Sequence, residues 1–408
     1  MAKTIYFVAG EASADNHGAA LMRALRNADV DLRFIGRGGP QMKAVAGASF
    51  QDWIEKSGVL GLWEVIKHYG YFRKQFHETL REIDSSKPTA VVLIDYPGFN
   101  LRLARTLSAS AKAAADKPKI IYYISPQVWA WNRGRIKKMA RWLDLMLCIF
   151  PFEADLYNES GLRTIFVGHP MIERLRERKI DIQRDPNLIG LFPGSRGREV
   201  RKIFPILIHT GRELRRSKPE LYFEVAAASD ELAQEMWKML GDSLATPHLN
   251  PLPSSRGEGR VRGDFESQGP ELRDRSGGFD IKVGQTAEIM QRAFVGIVAS
   301  GSATLEAAYF RMPFALIYKV AWPTYFAGRL LVKVKYLGMP NVLADKQVVP
   351  EFIQHRARSN DLAEAILRLL DDPVARQQMI WEFDKIAAML GQSGASERAA
   401  KAILAEIA

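Results

Sequence analysis

The sequence alternates short apolar runs with helix-like stretches, and this alternation limits the fold more than any other feature. In the first part of the chain the apolar runs are Thr4–Ala9, Leu32–Ile35, Ala90–Ile94, Lys119–Ile124 and Leu143–Phe150, with helices expected near His17–Arg26 and Asn100–Ala115. Continuous Val, Ile and Leu runs are typical of parallel strands that are buried on both faces. We therefore predict a doubly wound α/β unit.

The same pattern restarts after Asp185. The later apolar runs are Leu188–Phe192, Leu221–Ala226, Ile281–Val283, Gly296–Ala299 and Pro313–Tyr318, with helices expected near Val200–Arg215 and from Ser302. We predict an N-terminal Rossmann-like domain over residues 1–185, a second one over 186–365, and C-terminal helices over 366–408 that pack back toward the N-terminal half. Two such domains face a central cleft with the carboxyl ends of their sheets, where open α/β sheets bind ligands.

Length and composition agree with this organisation. The chain has 408 residues, which is more than a domain with a single hydrophobic core usually has. Its apolar fraction of 47% is average for a globular protein. The single cysteine, Cys148, excludes a disulfide framework. The N-terminal residues read as a strand rather than a secretory signal, and no run of about 18 apolar residues occurs. We expect a cytosolic chain that does not span a bilayer.

The net charge is +11, from 57 Lys and Arg against 46 Asp and Glu. Such an excess favours a partner that carries phosphate. Nucleic acid, anionic lipid and nucleotide all meet this condition, and the sign of the charge does not choose among them.

Residues 246–280 interrupt the α/β pattern. They are rich in Pro, Gly, Ser and Arg, and they stand where a connection usually takes about 2–6 residues. We predict a disordered surface insertion.

The turn after the first strand reads GEASAD and includes Gly10, Glu11, Ser13 and Asp15. Small residues there let the backbone at a helix N-terminus approach a ligand. The alternative is helix capping, with Ser13 or Asp15 accepting from backbone N–H groups.

Asp95 is the first polar residue after the buried run Val91–Ile94, so it lies at the carboxyl edge of the predicted sheet. A carboxylate there can act as a general base if its surroundings tune its pKa. Capping of the helix expected near Asn100 is the other interpretation, and position alone does not separate the two.

Trp129 and Trp131 follow another predicted strand and precede Arg133 and Arg135. Indole faces stack on sugar rings, and guanidinium groups bind phosphate. The pair therefore predicts a stacking surface beside a cationic one, which suits a sugar phosphate and also suits nucleic acid.

The second half opens with LFPGSRGREV, a strand that runs into a turn containing Gly194, Ser195 and Arg196. Backbone N–H groups and a guanidinium at this place fit a diphosphate. The helix dipole disfavours a cation at a helix start, which favours a bound anion over a purely structural arginine. The Lys-Ser/Thr pair of a Walker motif is missing.

A second phosphate-sized turn follows a later strand. Its residues are Ser300, Gly301, Ser302, Thr304 and Glu306. Glu306 can accept from ribose hydroxyls, or it can simply complement the helix dipole. The seven histidines have no metal-ligand spacing such as HExxH, so we predict no metal.

Taken in order, several motifs resemble those of lipid-A-disaccharide synthases. They are GEASAD, IDYPGFN, YYISPQVWAWNRGR, FPFE with FVGHP, LFPGSRGREV, ASGSATLEA and LGMPNVLADKQVVPEF. The resemblance runs from residue 4 to about residue 400, except for 246–280. It implies a GT-B fold and an inverting transfer from UDP-2,3-diacylglucosamine to 2,3-diacylglucosamine 1-phosphate that needs neither metal nor cofactor.

The resemblance also assigns roles residue by residue. Asp95 matches the proposed general base, and Arg196 matches the arginine at the UDP diphosphate. The nucleotide loop matches Ser300, Gly301, Ser302, Thr304 and Glu306, while Asn341 and Glu351 match polar residues near the donor. Two departures stand out, since Ala14 and Gly98 replace a glycine and a second aspartate of the family pattern.

Two segments have the mixture of aromatic, aliphatic and cationic residues that interfacial helices have, namely Gly58–Lys74 and Trp322–Tyr336. Core packing with a basic rim explains them equally well. With the net charge they favour peripheral attachment to the cytoplasmic face of an anionic inner membrane. A homodimer is a further candidate assembly.

Two rival functions stay open at this point. One is a related UDP-sugar enzyme, either an epimerase or a transferase with another lipid acceptor. The other is a basic nucleic-acid-binding protein that uses Trp129 and Trp131, although no recognisable nucleic-acid module is present. We expect no nucleic-acid partner.

Overall fold

Two parallel β-sheets organise the chain. The computed structural model describes residues 3–54, 69–110, 117–131, 133–245, 277–321 and 335–408. Contacts divide it into unit 1, formed by Met1–Arg174 with Met389–Ala408, and unit 2, formed by Leu175–Ala388. Strands and helices alternate in both, as the apolar runs predict.

Unit 1 contains a seven-stranded sheet of order β3-β2-β1-β4-β5-β6-β7. Its strands are β1 (Thr4–Ala9), β2 (Arg33–Gly38), β3 (Phe50–Asp52), β4 (Ala90–Ile94), β5 (Lys119–Tyr123), β6 (Leu145–Cys148) and β7 (Thr164–Phe166). Its helices are Ala12–Ala28, Pro40–Ala46, Tyr69–Ser86, Pro97–Ser110, Val128–Trp131, Ile136–Met139, Pro151–Glu159, Met171–Glu177 at the boundary, and Ala395–Glu406, with a 3-10 turn at Arg133–Arg135. The strand order reverses between β1 and β4, which makes their carboxyl ends a switch point where α/β sheets bind ligands.

Unit 2 contains a six-stranded sheet of order β10-β9-β8-β11-β12-β13. Its strands are β8 (Asp185–Phe192), β9 (Tyr222–Ala227), β10 (Phe279–Val283), β11 (Ala293–Ala299), β12 (Phe314–Tyr318) and β13 (Glu351–Ile353). Its helices are Gly197–Ser217, Asp230–Ala245, Thr286–Arg292, Ala303–Tyr309, Met339–Ala344, Ser359–Asp371 and Pro373–Met389, with a 3-10 turn at Gln354–Arg356. Here the switch point lies between β8 and β11.

The strand interiors form the two cores. Every residue of β4 is buried, as a continuous apolar run predicts. In unit 2 the rings of Phe223 and Phe279 stack at 4.7 Å between centroids. The helix above them must approach closely, because a Cβ at Gly211 would lie 2.5 Å from Phe279 Cζ.

A buried ionic cluster fastens the helix Tyr69–Ser86 to the sheet of unit 1. Arg37 of β2 is fully buried, and its Nη2 lies 2.5 Å from Glu82 Oε1. Tyr6 of β1 donates its hydroxyl to Glu82 Oε2 at 2.6 Å. Pairing of this kind is what allows a guanidinium to lie inside a core.

The structure corrects the end of the predicted insertion. Phe279 and Asp280 belong to β10, where they pair with Phe223 and Glu224 of β9. Residues 246–276, which carry the rest of that prediction, lie outside the described residues.

The predicted domain boundary at residue 185 differs from the boundary between the units. Residues 175–184 belong to unit 2 because Gln291 binds them through its amide, accepting from the Ile180 N–H at 2.8 Å and donating to the Arg178 carbonyl at 2.9 Å. Arg184 strengthens this link by donating to the carbonyl oxygens of Met290, Ala293 and Phe310.

The predicted C-terminal block, residues 366–408, divides between the units. The helix Pro373–Met389 belongs to unit 2, where Phe383 is fully buried. The helix Ala395–Glu406 belongs to unit 1, and Lys119 of β5 forms an ion pair of 2.9 Å with the carboxylate of its last residue. Within unit 1, this last helix packs on the helix Ala12–Ala28.

Among the described residues, no helix is both long and apolar enough to cross a membrane. The segments Gly58–Lys74 and Trp322–Tyr336 lie mostly outside the described residues.

We expect the variant Arg184→Met to lower the free energy of unfolding of the protein by about 2–3 kcal/mol, because three partly buried carbonyl groups lose a charged donor. The matched control is Arg216→Met, since Arg216 is exposed and, among the described residues, its only ion pair is with Glu213. Urea unfolding of both variants measures the difference. An equal, small decrease in the free energy of unfolding for both variants would contradict the role of Arg184 in binding this segment to unit 2.

Candidate functional site

Gly10 and Asp95 lie side by side at the switch point of unit 1. Ala9 pairs with Ile94 in the sheet, so the two turns begin next to each other. Any side chain at Gly10 would enter the ring of Tyr96. This close approach explains why glycine ends the first strand.

Asp95 follows β4 directly and has a left-handed backbone conformation, with φ of 46°. Its N–H donates to the Tyr123 carbonyl at 3.0 Å. Its carbonyl accepts from the Tyr122 hydroxyl at 2.6 Å and from Asn100 Nδ2 at 2.8 Å. The backbone of Asp95 is therefore held from both sides.

The Asp95 carboxyl has a raised pKa. Its pKa is raised to about 6, chiefly by burial and further by the negative charge of Glu11, against the lowering effect of the Tyr96 N–H. A base with a pKa close to the working pH transfers protons efficiently. Of the two interpretations of Asp95 that its position allows, this electrostatic setting favours the general base.

Ser13 and Asp15, which also belong to the first turn, differ in their surroundings. Ser13 is exposed, whereas Asp15 is only 2% exposed. The Asp15 carboxylate accepts from the N–H groups of Gly39, Gln41 and Met42, each at 2.9 Å. Asp15 therefore caps the neighbouring helix Pro40–Ala46, which confirms the capping interpretation, and a contact with substrate stays a prediction.

Trp129 does not present the open stacking face that the sequence predicted. It is only 8% exposed, its ring packs edge-on against Phe152 at 5.0 Å, and its Nε1 donates to Glu153 Oε1 at 2.9 Å. Glu153 is fully buried, and burial raises its pKa to about 7. The side chain of Trp131 lies outside the described residues.

In unit 2 the predicted diphosphate turn has the expected form. Gly194 is left-handed with φ of 109°, and a Cβ there would lie 2.6 Å from Glu199 Oε2. Ser195 and Arg196 are exposed at the start of the helix Gly197–Ser217. Arg196 forms one long contact, 3.4 Å from its Nη1 to Glu199 Oε1. A guanidinium and N–H groups at a helix N-terminus together bind anions.

The loop after β11 lies at the adjacent strand end. The Ser300 N–H donates to the Ile317 carbonyl at 3.0 Å, and Thr304 closes the turn by donating to the Gly301 carbonyl at 2.7 Å. Thr304 is fully buried, whereas Gly301 and Ser302 are exposed and Glu306 is half-buried. Thr304 therefore shapes the loop from inside, and Ser302 presents its hydroxyl to solvent.

Asn341 and Glu351 bind each other and the loop between them. Asn341 is fully buried, and its Oδ1 accepts from the N–H groups of Val348 and Val349 at 2.6 and 2.8 Å. The Glu351 carboxylate accepts from Asn341 Nδ2 at 2.8 Å and from the Gly338 N–H at 2.9 Å. Both side chains are used to shape this loop, and a contact with the donor stays a prediction.

The sequence analysis missed three polar residues of unit 1. Asn100, Tyr122 and Glu153 all lie inside mainly apolar segments and are fully buried. Asn100 carried a usable signal, since an amide in an otherwise apolar helix start needs hydrogen-bond partners. Tyr122 carried none, because the Asp95 carbonyl that it binds is distant in sequence, whereas Glu153 also accepts from the nearby Phe150 N–H at 3.2 Å.

In the part of the chain that the structure describes, no group of three His, Cys, Asp or Glu residues is arranged to hold a metal ion.

Two parallel-sheet α/β units are the arrangement of the GT-B fold, and solved structures agree. The UDP-GlcNAc 2-epimerase of Neisseria meningitidis, solved with UDP-GlcNAc, matches with a TM-score of 0.58 and 12% identity over 98% of this chain and 99% of that one. The calicheamicin glycosyltransferase CalG4 matches with a TM-score of 0.52 and 13% identity over 99% and 98%. These likenesses confirm the predicted GT-B fold.

The sequence comparisons identify the family. A family model described as lipid-A-disaccharide synthetase matches residues 5–249 and 279–407. The lipid-A-disaccharide synthase of Geobacter sulfurreducens is 36% identical over 98% of this chain and 96% of its own length. Lipid-A-disaccharide synthase 1 of Legionella pneumophila is 34% identical over 100% and 98%. The chain belongs to the lipid-A-disaccharide synthetase family.

The protein is accordingly a hexosyltransferase that forms the lipid A disaccharide from a UDP-sugar donor and a lipid acceptor. The resemblance that the motifs carried is confirmed. Neither the epimerase nor the nucleic-acid alternative is favoured.

Gly98 stands where the family pattern has a second aspartate, so a substitution there tests the effect of that carboxylate. It lies in the first turn of the helix Pro97–Ser110, it is not left-handed, and a Cβ there would meet nothing within 4 Å. We expect Gly98→Asp to raise the free energy of unfolding by about 1 kcal/mol, because it removes a helical glycine and complements the helix dipole. The added charge should also raise the pKa of Asp95 above about 6.

Thermal unfolding and the pH dependence of kcat/KM measure these two effects. The control is Gly98→Asn, which has the same size without the charge. It should leave the pKa of Asp95 unchanged, and an equal shift in both variants would contradict the electrostatic explanation.

Proposed function

We propose that the enzyme transfers 2,3-diacylglucosamine from its UDP derivative to 2,3-diacylglucosamine 1-phosphate, with inversion at the anomeric carbon. The products are a β-1,6-linked disaccharide 1-phosphate and UDP. The observation that carries this proposal is the half-buried Asp95, whose pKa of about 6 suits the removal of a proton from a hydroxyl group.

Asp95 acts on the acceptor in this scheme. Its carboxylate takes the proton of the acceptor 6-hydroxyl while that oxygen forms a bond to the anomeric carbon of the donor. The bond from this carbon to the UDP oxygen breaks, and its electron pair leaves with the diphosphate. The charge change is therefore a proton gained by Asp95 and a negative charge gained by UDP.

The turn of unit 2 stabilises that leaving charge. Arg196 is exposed and only weakly paired with Glu199, so its guanidinium can bind the diphosphate without breaking a strong ion pair. The N–H groups near Gly194 and Ser195 add donors that are fixed before the reaction. Ser300, Gly301, Ser302 and Glu306, at the neighbouring strand end, are proposed to bind the nucleoside part. Gly10 and Glu11 lie beside Asp95 and, with Ser13 of the same turn, are proposed to bind the acceptor.

We expect Asp95→Asn to lower kcat by roughly 10²–10⁴-fold, the usual contribution of a general base. In the unaltered enzyme kcat/KM should fall as the pH drops through about 6, since only the ionised carboxylate accepts a proton. The assay follows UDP and disaccharide in the presence of a chelator. The control Asp84→Asn removes an exposed carboxylate of the helix Tyr69–Ser86 and should keep full activity. An active Asp95→Asn enzyme would exclude Asp95 as the base.

We further propose peripheral attachment to the cytoplasmic face of an anionic membrane, through a basic face on unit 1. This basic face consists of five exposed residues, Arg102, Arg105, Lys137, Lys138 and Arg141. Between Tyr96 and Asp144 the only acidic residue in the sequence is Asp116. Within the described residues, none of the five cations forms an ion pair.

The two segments that carry the basic face lie side by side. The Ser108 hydroxyl donates to the Arg141 carbonyl at 3.1 Å. Leu103 and Met139 are buried in the same core beneath them. The cations therefore lie on the solvent side of one surface, and lysine and arginine at an anionic lipid surface each contribute binding energy.

The triple variant Arg102→Gln, Lys138→Gln, Arg141→Gln should bind vesicles of phosphatidylglycerol and phosphatidylcholine roughly fivefold more weakly per charge removed. Vesicle flotation at low and high salt measures this, and activity on detergent-dispersed substrate should persist.

The control triple variant Arg23→Gln, Lys43→Gln, Lys401→Gln removes three exposed cations from other helices of the same unit. Equal weakening by both triple variants would show that net charge alone matters, and tighter binding to RNA than to vesicles would favour a different partner.

A further inference from the structure

The backbone at Asp95 and Tyr96 is unusual. Two consecutive residues with side chains are left-handed, with φ of 46° and 49°. Residues other than glycine rarely adopt this conformation, and they keep it only where their surroundings determine it. The surroundings of this turn therefore decide where the Asp95 carboxyl lies.

Tyr122 and Asn100 form most of the hydrogen bonds that hold this turn. The Asp95 carbonyl accepts from the Tyr122 hydroxyl at 2.6 Å and from Asn100 Nδ2 at 2.8 Å, while the Asp95 N–H is bound by the Tyr123 carbonyl at 3.0 Å. With both backbone groups of Asp95 bound, the torsions of its side chain are its only remaining freedom.

Asn100 connects the turn to its neighbours. It is fully buried, and its amide also donates to the Ile94 carbonyl at 3.1 Å, with the Val8 carbonyl at 3.5 Å. Its own N–H donates to the Tyr96 carbonyl at 3.1 Å. One side chain thereby joins the ends of β1 and β4 to the helix Pro97–Ser110.

We propose that Asn100 and Tyr122 are positioning residues of the transfer reaction, which hold the Asp95–Tyr96 turn in its left-handed conformation and so fix the catalytic carboxyl at the sheet edge. This rests on the proposed role of Asp95 as the base. Both residues act through Asp95.

The properties of the two donors fit this task. Burial raises the pKa of Tyr122 well above its ordinary value, so its hydroxyl remains a donor throughout the working pH range. Burial is also the main cause of the raised pKa of Asp95. If the turn relaxes and its carboxyl becomes hydrated, the pKa of Asp95 falls toward the ordinary value of an aspartate, about 3.9.

The test uses Tyr122→Phe, which removes one hydroxyl and keeps the shape of the ring. We expect kcat to fall by roughly 10–100-fold, because a small misplacement of a catalytic group has effects of this order. KM should change little, since substrate binding in the ground state is not altered. The acidic limb of kcat/KM should move below about 6, where the unaltered enzyme has it.

The matched control is Tyr157→Phe. Tyr157 is also fully buried on the same face of unit 1, and its hydroxyl donates to the Pro126 carbonyl at 2.8 Å, away from the Asp95 carbonyl. Both variants lose one buried hydrogen bond, so similar decreases in Tm are expected. Only Tyr122→Phe should move the acidic limb, and an equal movement in Tyr157→Phe would overturn the proposal.

A double variant separates this proposal from the assignment of the base. In an Asp95→Asn background the residual rate should be insensitive to Tyr122→Phe, because a positioning residue has nothing left to position. Full loss of the residual rate would instead overturn the proposal. If Asp95→Asn alone keeps its activity, the assignment of the base fails, whatever Tyr122 does. Asn100→Ala, provided that it folds, should repeat the effect of Tyr122→Phe on the acidic limb.

Discussion

Parallel pairing of β1 with β4 is the constraint on which the chemistry of unit 1 depends. The register Ala9↔Ile94 makes the two strands end together, so Gly10 and Asp95 become neighbours although they are far apart in sequence. In unit 2 the pairing of β8 with β11 has the same consequence, because Phe192↔Val298 brings the two glycine-containing turns to one edge. Each sheet thus gathers at its switch point the residues that are proposed to bind one of the two substrates.

Much of the fold could be predicted from hydrophobic runs, since a strand buried on both faces leaves a continuous apolar signal. Asp95 and Arg196 became site candidates in the same way, as polar residues that follow such runs. Capping by Asp15 was one of the two predicted alternatives, but the helix that it caps could not be predicted, because that helix begins at Pro40, after another strand. The burial of Trp129 could not be predicted either, because its Nε1 binds Glu153, a carboxylate that stands after an apolar segment of the sequence.

The unit boundaries illustrate a second limit of sequence reasoning. Apolar periodicity locates elements, but it does not say to which core a connecting segment belongs. Arg184 decides this by binding three carbonyl groups of unit 2, and Gln291 does so by binding the segment before it. Single polar side chains of this kind have no periodic signal.

Unit 1 is built from two segments that unit 2 separates along the chain. Residues 1–174 form its sheet, and the helix Ala395–Glu406 completes it by packing on the helix Ala12–Ala28 and on β5. Because residues 389–408 follow unit 2 in the chain, the ribosome makes them after the whole of unit 2. The N-terminal unit, although made first, is therefore finished last, and its apolar contacts with the final helix stay open to chaperones and proteases throughout synthesis.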